Sequence, residues 1–252
     1  MKNIIFDESI FKGTMVDMTW QEVKQEVEKD SIVLFPISVV EEHGPHMDLS
    51  PDIYLTNVIC KIIKQDLEQK GIPTVIAPPY YWGINKATGK FPGSFSVKPE
   101  TFKAILEDLI ECFKIWGFTK IFTYNFHGDP LHTSTIENSI KEIRDNLKID
   151  VYDLETLSKE ININIYDILP ARQEKYKPDY HAGAEETSMM CSFYPDRVRV
   201  NLATELKPQP TFEPLGYVGD PAHFGLENGG KKIELISERC VQVIEVFLKS
   251  RK

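Results

Sequence analysis

The chain has 252 residues, a formal net charge of −9 at pH 7 and a hydrophobic content of 42%. The excess of acidic side chains argues against a nucleic-acid-binding surface. No apolar run reaches the roughly 18 residues that a membrane span needs, and the N-terminus shows no signal-peptide pattern. We therefore expect a cytoplasmic globular protein, with one domain over residues 1–252 and a small-molecule substrate, and with neither nucleic acid nor membrane as a partner.

Strands and helices alternate along the chain. Short apolar segments predict buried strands at residues 32–37, 74–77, 120–124 and 149–154. Amphipathic spacing predicts helices at about residues 19–27, 53–67, 99–117, 132–146, 181–194 and 232–248. Residues 201–230 are rich in proline and glycine and are predicted to be loops. This alternation indicates an α/β fold with a mostly parallel sheet.

Two polar runs follow strands of the predicted sheet. Residues 41–52 come after the first strand, and residues 125–129 come after the strand that ends near Tyr124. Open α/β sheets bind their ligands just beyond the carboxyl ends of the strands. Both polar runs are therefore candidates for a functional site.

The residue types in these runs suit a metal centre. Glu41 and His43 are two residues apart, as are His127 and Asp129, so each pair can face the same way in extended backbone. Asp52 follows at the predicted start of a helix, where its two oxygens can cap the helix or bridge two cations. Mixed histidine and carboxylate ligation favours Zn²⁺ or Mn²⁺. Two such ions can share a water and polarise a carbonyl, which predicts a hydrolase.

For any one position, the ordinary alternative is a solvated loop residue. The histidines, however, all lie within or beside polar clusters that contain glycine or proline: His43, His46, His127, His132, His181 and His223. That distribution favours a shared site over isolated surface residues, with His132 the weakest candidate because it falls in a predicted helix.

A third cluster occupies residues 181–188. A neutral His181 beside a polarised carbonyl could pass a proton to a leaving nitrogen. Glu186 could bind a metal, orient that histidine or hold the substrate. An equally good interpretation is a helix start with acidic residues in its first turn, which the helix dipole favours.

These motifs resemble those of the creatininase (creatinine amidohydrolase) family. Residues 36–46, Pro-Ile-Ser-Val-Val-Glu-Glu-His-Gly-Pro-His, followed by Asp52, are similar to its signature, and residues 125–129, Asn-Phe-His-Gly-Asp, are similar to its second metal-binding block. Further blocks occur in the family's order: Phe91-Pro92-Gly93-Ser94, His181-Ala182-Gly183 with Glu186-Thr187-Ser188, and Gly219-Asp220-Pro221. The resemblance covers about residues 15–245, nearly the whole chain.

The resemblance implies two divalent ions as cofactors, Zn²⁺ and/or Mn²⁺. One ion would be held by Glu41, Asp52 and His127. The other would be held by His43, Asp52 and Asp129, with Asp52 shared between them. Asp129 is shorter than the acidic residue of creatininase at this place, and many relatives have glycine there.

The resemblance also implies catalytic roles, a fold and an assembly. His181 would donate a proton to the leaving nitrogen, Asp129 would help hold the second ion and its water, and Glu186 would lie behind the ligands or against the substrate. The family fold is a three-layer α/β/α domain with a mostly parallel sheet. Creatininase is a hexamer, so we expect a homo-oligomer here.

The expected reaction is hydrolysis of an amide-type C–N bond, in a cyclic amide or a formamide, by a hydroxide that bridges the two ions. Creatininase uses tryptophans around its substrate, and this chain has none after residue 116, which argues against creatinine itself. One alternative is hydrolysis of a C–C bond in an inosose-like cyclic ketone, for which the polar pair Asn85 and Lys86 near the cleft gives weak support. Another is a non-catalytic metal-binding protein.

Overall fold

A four-stranded parallel sheet forms the centre of the computed structural model, which describes residues 9–166 and 178–251. The strand order is β2-β1-β3-β4, with β1 (Ile32–Ile37), β2 (Thr74–Ile76), β3 (Lys120–Asn125) and β4 (Asp150–Asp153). The helices are α1 (Trp20–Glu28), α2 (Pro51–Gln69), α3 (Pro99–Trp116), α4 (Pro130–Leu147), α5 (Leu154–Glu160), α6 (Ala184–Phe193), α7 (Val200–Glu205) and α8 (Leu226–Ser250). The prediction made for the N-terminus falls on residues 1–8, which lie outside the described residues.

The sheet is covered by helices on both faces. Successive strand residues point to opposite faces of a sheet. Leu34 and Phe122 pack on the face covered by α2, α5, α6 and α8, whereas Val33, Phe35 and Ile121 pack with α1, α3 and α4 on the other face. The predicted three-layer α/β/α arrangement with a parallel sheet is confirmed. None of the helices in the described residues combines the length and the apolar character needed to cross a bilayer.

Three helical features differ from the sequence-based expectations. Helix α5 was not predicted; it begins directly after β4, where the Asp153 side chain accepts a hydrogen bond from the backbone N–H of Thr156. Helix α7 lies within the stretch that was predicted to be loops. Helix α8 starts six residues early, at Leu226, and runs through Gly229. A side chain at Gly229 would collide with the backbone of Ser188, so glycine lets α8 approach α6 closely.

The sheet brings the two polar runs together. Strands β1 and β3 are neighbours, with Ile37 opposite Asn125, so their carboxyl ends meet at one edge. Helix α2 begins at the same edge with Pro51 in its first turn. The loops that follow both strands and the first turn of α2 therefore surround one point beyond the sheet.

Candidate metal centre

Three side chains from separate elements meet beyond β1 and β3. Glu41 follows β1, His127 follows β3, and Asp52 is the second residue of α2. The Nδ1 atom of His127 lies 2.9 Å from Glu41 Oε2 and 3.5 Å from Asp52 Oδ2. All three side chains are buried, and their ligand atoms lie within 4.8 Å of one another. We call this the first group.

A second group shares Asp52 with the first. The Nε2 atom of His43 lies 3.8 Å from Asp52 Oδ2 and 3.7 Å from Glu186 Oε2. Glu186 stands in the first turn of α6. A single oxygen, Asp52 Oδ2, is thus close to a histidine nitrogen of each group.

The donor set fits divalent cations. Three of its atoms are buried and have no hydrogen-bond partner: Glu41 Oε2, His43 Nε2 and Asp52 Oδ2. An unpaired buried polar atom costs about 1–3 kcal/mol, so three around one point indicate a missing positive partner. Ligands about 2.1 Å from a tetrahedral Zn²⁺ are about 3.4 Å apart; the separations of 3.5, 3.7 and 3.8 Å are close to this value, and the 2.9 Å between His127 Nδ1 and Glu41 Oε2 is shorter.

Backbone carbonyls fix which nitrogen of each histidine faces the site. His127 donates from Nε2 to the carbonyl of Ile84 at 3.1 Å, which leaves Nδ1 for the first group. His43 donates from Nδ1 to the carbonyl of Glu41 at 3.1 Å, which leaves Nε2 for the second group. Such outer partners orient the ring and raise its basicity as a ligand. The Thr88 hydroxyl orients Glu41 in the same way by donating to Oε1.

Opposite charges dominate the electrostatics of the first group. Burial raises the pKa of Asp52, but the neighbouring His43 and His127 hold it well below its usual range. Burial lowers the pKa of His127, yet the negative charges of Glu41 and Asp52 raise it well above its ordinary value. Proton and metal therefore compete for the same nitrogen, and metal binding releases that proton.

His181 lies against the second group. It donates from Nε2 to the carbonyl of Glu42 at 2.8 Å, so Nδ1 faces the site, 3.8 Å from Glu41 Oε2. Its ring centroid is 4.4 Å from that of His43. Burial lowers the pKa of His181, but the hydrogen bond with Glu42 and the charges of Glu41 and Glu186 raise it to about 10.

Both oxygens of Asp129, the residue expected to help hold the second ion, accept backbone N–H groups. Asp129 is the N-cap residue of α4, where Oδ1 accepts from the backbone N–H groups of Leu131 and His132 at 2.9 and 3.3 Å. Its other oxygen, Oδ2, accepts from Lys86 and Ala87 at 2.8 and 2.9 Å. Burial raises the pKa of Asp129, but these four N–H groups lower it. Among the described residues, a third set of side chains, Glu41, His43 and His181, also has ligand atoms within 4.8 Å of one another, and Asp129 belongs to none of the three groups.

Comparison with known proteins assigns the chain to a family. Residues 16–244 match the family model described as creatininase, creatinine amidohydrolase. The chain belongs to the creatininase family. The resemblance expected from the motifs is therefore confirmed over nearly the whole chain.

Three curated proteins that are similar to this chain have names that give different activities. Creatinine amidohydrolase of Pseudomonas putida is 27% identical over 94% of this chain and 95% of that protein. 3-dehydro-scyllo-inosose hydrolase of Thermotoga maritima is 23% identical over 80% of this chain and 62% of that protein. Mycofactocin precursor peptide peptidase of Mycolicibacterium smegmatis is 26% identical over 75% of this chain and 74% of that protein. All three names describe hydrolysis, of three unlike substrates.

Solved creatininases share the fold. A crystal structure of creatinine amidohydrolase (creatininase) superposes with a TM-score of 0.66 at 24% identity, over 95% of this chain and 97% of that one. A manganese form of creatininase superposes with a TM-score of 0.66 at 23% identity, over 95% of this chain and 98% of that one. The creatininase fold assigned from the sequence is confirmed.

Sequence reasoning missed the groups that support the ligands. Ile84 acts through its carbonyl, which no side-chain pattern reveals, and Thr88 is 47 residues from the Glu41 that it contacts. His132 is part of this support. It accepts the N–H of Ile84 at Nδ1 (3.2 Å) and donates from Nε2 to Asn125 Oδ1 (3.1 Å). Burial and the nearby His127 lower the pKa of His132 to about 3, so it stays neutral.

Proposed function

We propose that the protein is a dinuclear metal-dependent hydrolase that cleaves an amide-type C–N bond in a small polar metabolite. One observation carries the proposal. Asp52 Oδ2 is buried, has no hydrogen-bond partner, and lies 3.5 Å from His127 Nδ1 and 3.8 Å from His43 Nε2. A carboxylate oxygen in that position suits a ligand shared by two cations.

The proposed ligand sets differ from the sequence-based ones at one place. Glu41, Asp52 and His127 hold the first ion, and His43, Asp52 and Glu186 hold the second. Glu186 replaces Asp129 in the second set because the Asp129 oxygens are already used by four backbone N–H groups.

The cofactors we propose are Zn²⁺, Mn²⁺ or one of each. Sets of two carboxylates with one histidine suit both ions, and a manganese form is among the solved creatininases that share the fold. When bound, two such ions lower the pKa of a shared water and polarise a substrate carbonyl.

His181 supplies the proton that the leaving nitrogen requires. Its Nε2–H is held by the Glu42 carbonyl, so the proton is transferred from Nδ1, the nitrogen that faces the site. Burial of the surrounding side chains keeps bulk water away from this step. Asp129 acts indirectly, by holding residues 86 and 87 so that Thr88 and Ile84 stay against their ligands.

We propose a cyclic amide or a formamide as the substrate. Support comes from the match to creatinine amidohydrolase over nearly the full length of both chains. The carbon–carbon alternative is supported by the similarity to the inosose hydrolase. It gains nothing from Asn85, whose Nδ2 donates to the carbonyls of Val40 and Phe95 and therefore holds a loop.

The test is an assay of metal-stripped protein against cyclic amides, formamides, lactones, inosose-like ketones and short peptides. We expect turnover of a cyclic amide or formamide that is lost with a chelator and restored by Zn²⁺ or Mn²⁺. Turnover that is indifferent to chelation would contradict the metal mechanism, and ring-opened ketone products would support the alternative. A homo-oligomer, with a hexamer as first candidate, and a cytoplasmic location remain predictions; sedimentation measurements test the former.

A further inference from the structure

The turn that precedes α6 carries the carboxylate of Asp179, which belongs to neither proposed ligand set. Helix α6 starts after Gly183, which has no side chain to cap it. Asp179, four residues earlier, does this instead: its Oδ2 accepts the backbone N–H of Glu185 at 3.1 Å, and Ala184 also donates to the carboxylate. Its other oxygen, Oδ1, is buried and has no hydrogen-bond partner.

The space around this carboxylate is made by two glycines. A methyl group on Gly183 or on Gly219 would collide with the Asp179 side chain. The glycines therefore allow the carboxylate to lie directly against the start of α6. Because it is enclosed on these sides, Asp179 defines where the first turn of the helix begins.

The same turn connects two residues of the proposed centre. His181 pairs with Val218, whose N–H donates to the His181 carbonyl at 2.8 Å. One residue on, the N–H of Ala182 donates to Glu186 Oε2, the oxygen that lies 3.7 Å from His43 Nε2. The position of Glu186 thus depends on the path of residues 179–183 and on the start of α6.

We propose that Asp179 is a positioning residue for the second ion. By fixing the first turn of α6 it sets how far the Glu186 carboxylate reaches toward His43. None of the residues of the first group lies in this turn, which meets the group at His181, whose Nδ1 is 3.8 Å from Glu41 Oε2. The inference rests on the proposed function, because it needs a second ion for Glu186 to bind.

The experiment is a Zn²⁺ titration of metal-stripped full-length protein against a chromophoric chelator. In Asp179→Ala we expect the second ion to bind about 10- to 100-fold more weakly, as for other residues that orient ligands, with the first ion unchanged. Asp179→Asn keeps an oxygen that can accept the Glu185 N–H and should retain most of the second ion's affinity. Glu186→Ala should weaken the same ion, and adding Asp179→Ala to it should cause little further loss.

Gly183→Ala is the second variant, since it displaces the carboxylate without removing it; it should weaken the second ion even if Asp179→Ala does not fold. The inference is overturned if both variants bind two ions with wild-type affinity, or if both ions weaken equally in a folded variant. Wild-type protein that binds fewer than two ions would instead contradict the proposed function itself.

Discussion

Asp52 and Asp129 begin from equivalent places and end with different roles. Each stands at the start of a helix that follows a strand, at the same edge of the sheet. Asp129 accepts four backbone N–H groups, two from its own helix and two from residues 86 and 87. Asp52 Oδ2 accepts none. A carboxylate whose lone pairs are used by the backbone supports the site, whereas a buried one with a free lone pair is available to a cation.

The same contrast separates the histidines. His132 has a partner at each nitrogen and is neutral. His43 has a carbonyl partner at Nδ1 only, and its Nε2 is buried without a hydrogen-bond partner. Leaving such atoms unpaired costs stability in the metal-free protein. Where several such atoms surround one point, as Glu41 Oε2, His43 Nε2 and Asp52 Oδ2 do, we take that cost as the mark of a binding site, because bound metal removes it.

The largest effect is expected at the shared oxygen. Asp52→Asn replaces a charged oxygen that both groups use, so we expect both ions to be lost and activity to fall to the uncatalysed background. Metal analysis of purified protein and turnover of the best substrate from the panel measure this. Circular dichroism checks that the variant is folded. A folded variant that still holds two ions would show that Asp52 is not the bridge.

A smaller loss of activity is expected when His181 is replaced. His181→Gln removes the proton donor but no proposed ligand, so kcat should fall about 100- to 1,000-fold with two ions still bound. His46→Gln is the matched control, since His46 is also buried but belongs to none of the groups of candidate ligands, and its Nε2 bonds the Thr187 hydroxyl at 2.9 Å. We expect the control to keep kcat within a few-fold. Loss of an ion from His181→Gln would identify His181 as a ligand instead.

Substitution of Asp129 is expected to have the smallest effect on catalysis. It should, however, clearly lower the stability of the fold. Asp129→Ala leaves four backbone N–H groups without their acceptor, which should lower the free energy of unfolding by about 2–4 kcal/mol. Two ions should still bind. Thr19→Ala removes the exposed capping box of α1 and should cost only about 1 kcal/mol. Denaturant unfolding measures both, and an Asp129→Ala protein of normal stability that has lost one ion would restore Asp129 as a ligand.

The sequence was sufficient for the sheet and for most of the residues that the structure brings together. Buried strands have a strong apolar signal, and polar residues directly after two of them had to meet at one edge if the strands were neighbours. Glu41, His43, Asp52 and His127 follow from that reasoning. Helix α5 and the early start of α8 could not be predicted in this way. A short helix directly after a strand, and a helix that runs through a glycine, depend on tertiary contacts.

The choice between Asp129 and Glu186 could not be made from spacing. Asp129 repeats the two-residue spacing of Glu41 and His43, but whether its oxygens are free depends on the backbone of residues 86 and 87, more than 40 positions away. Glu186 lay in a helix start that two interpretations explained equally well. Only the position of the first turn of α6 in the folded chain shows that the Glu186 carboxylate comes within 3.7 Å of His43.

The most direct test is a crystal structure of the metal-loaded protein with anomalous difference maps at the zinc and manganese edges. We predict two peaks on either side of Asp52 Oδ2, one about 2.0–2.2 Å from Glu41 and His127 ligand atoms and the other at similar distances from His43 and Glu186. A single peak, no peak beside Asp52, or a peak bound to Asp129 would contradict this arrangement.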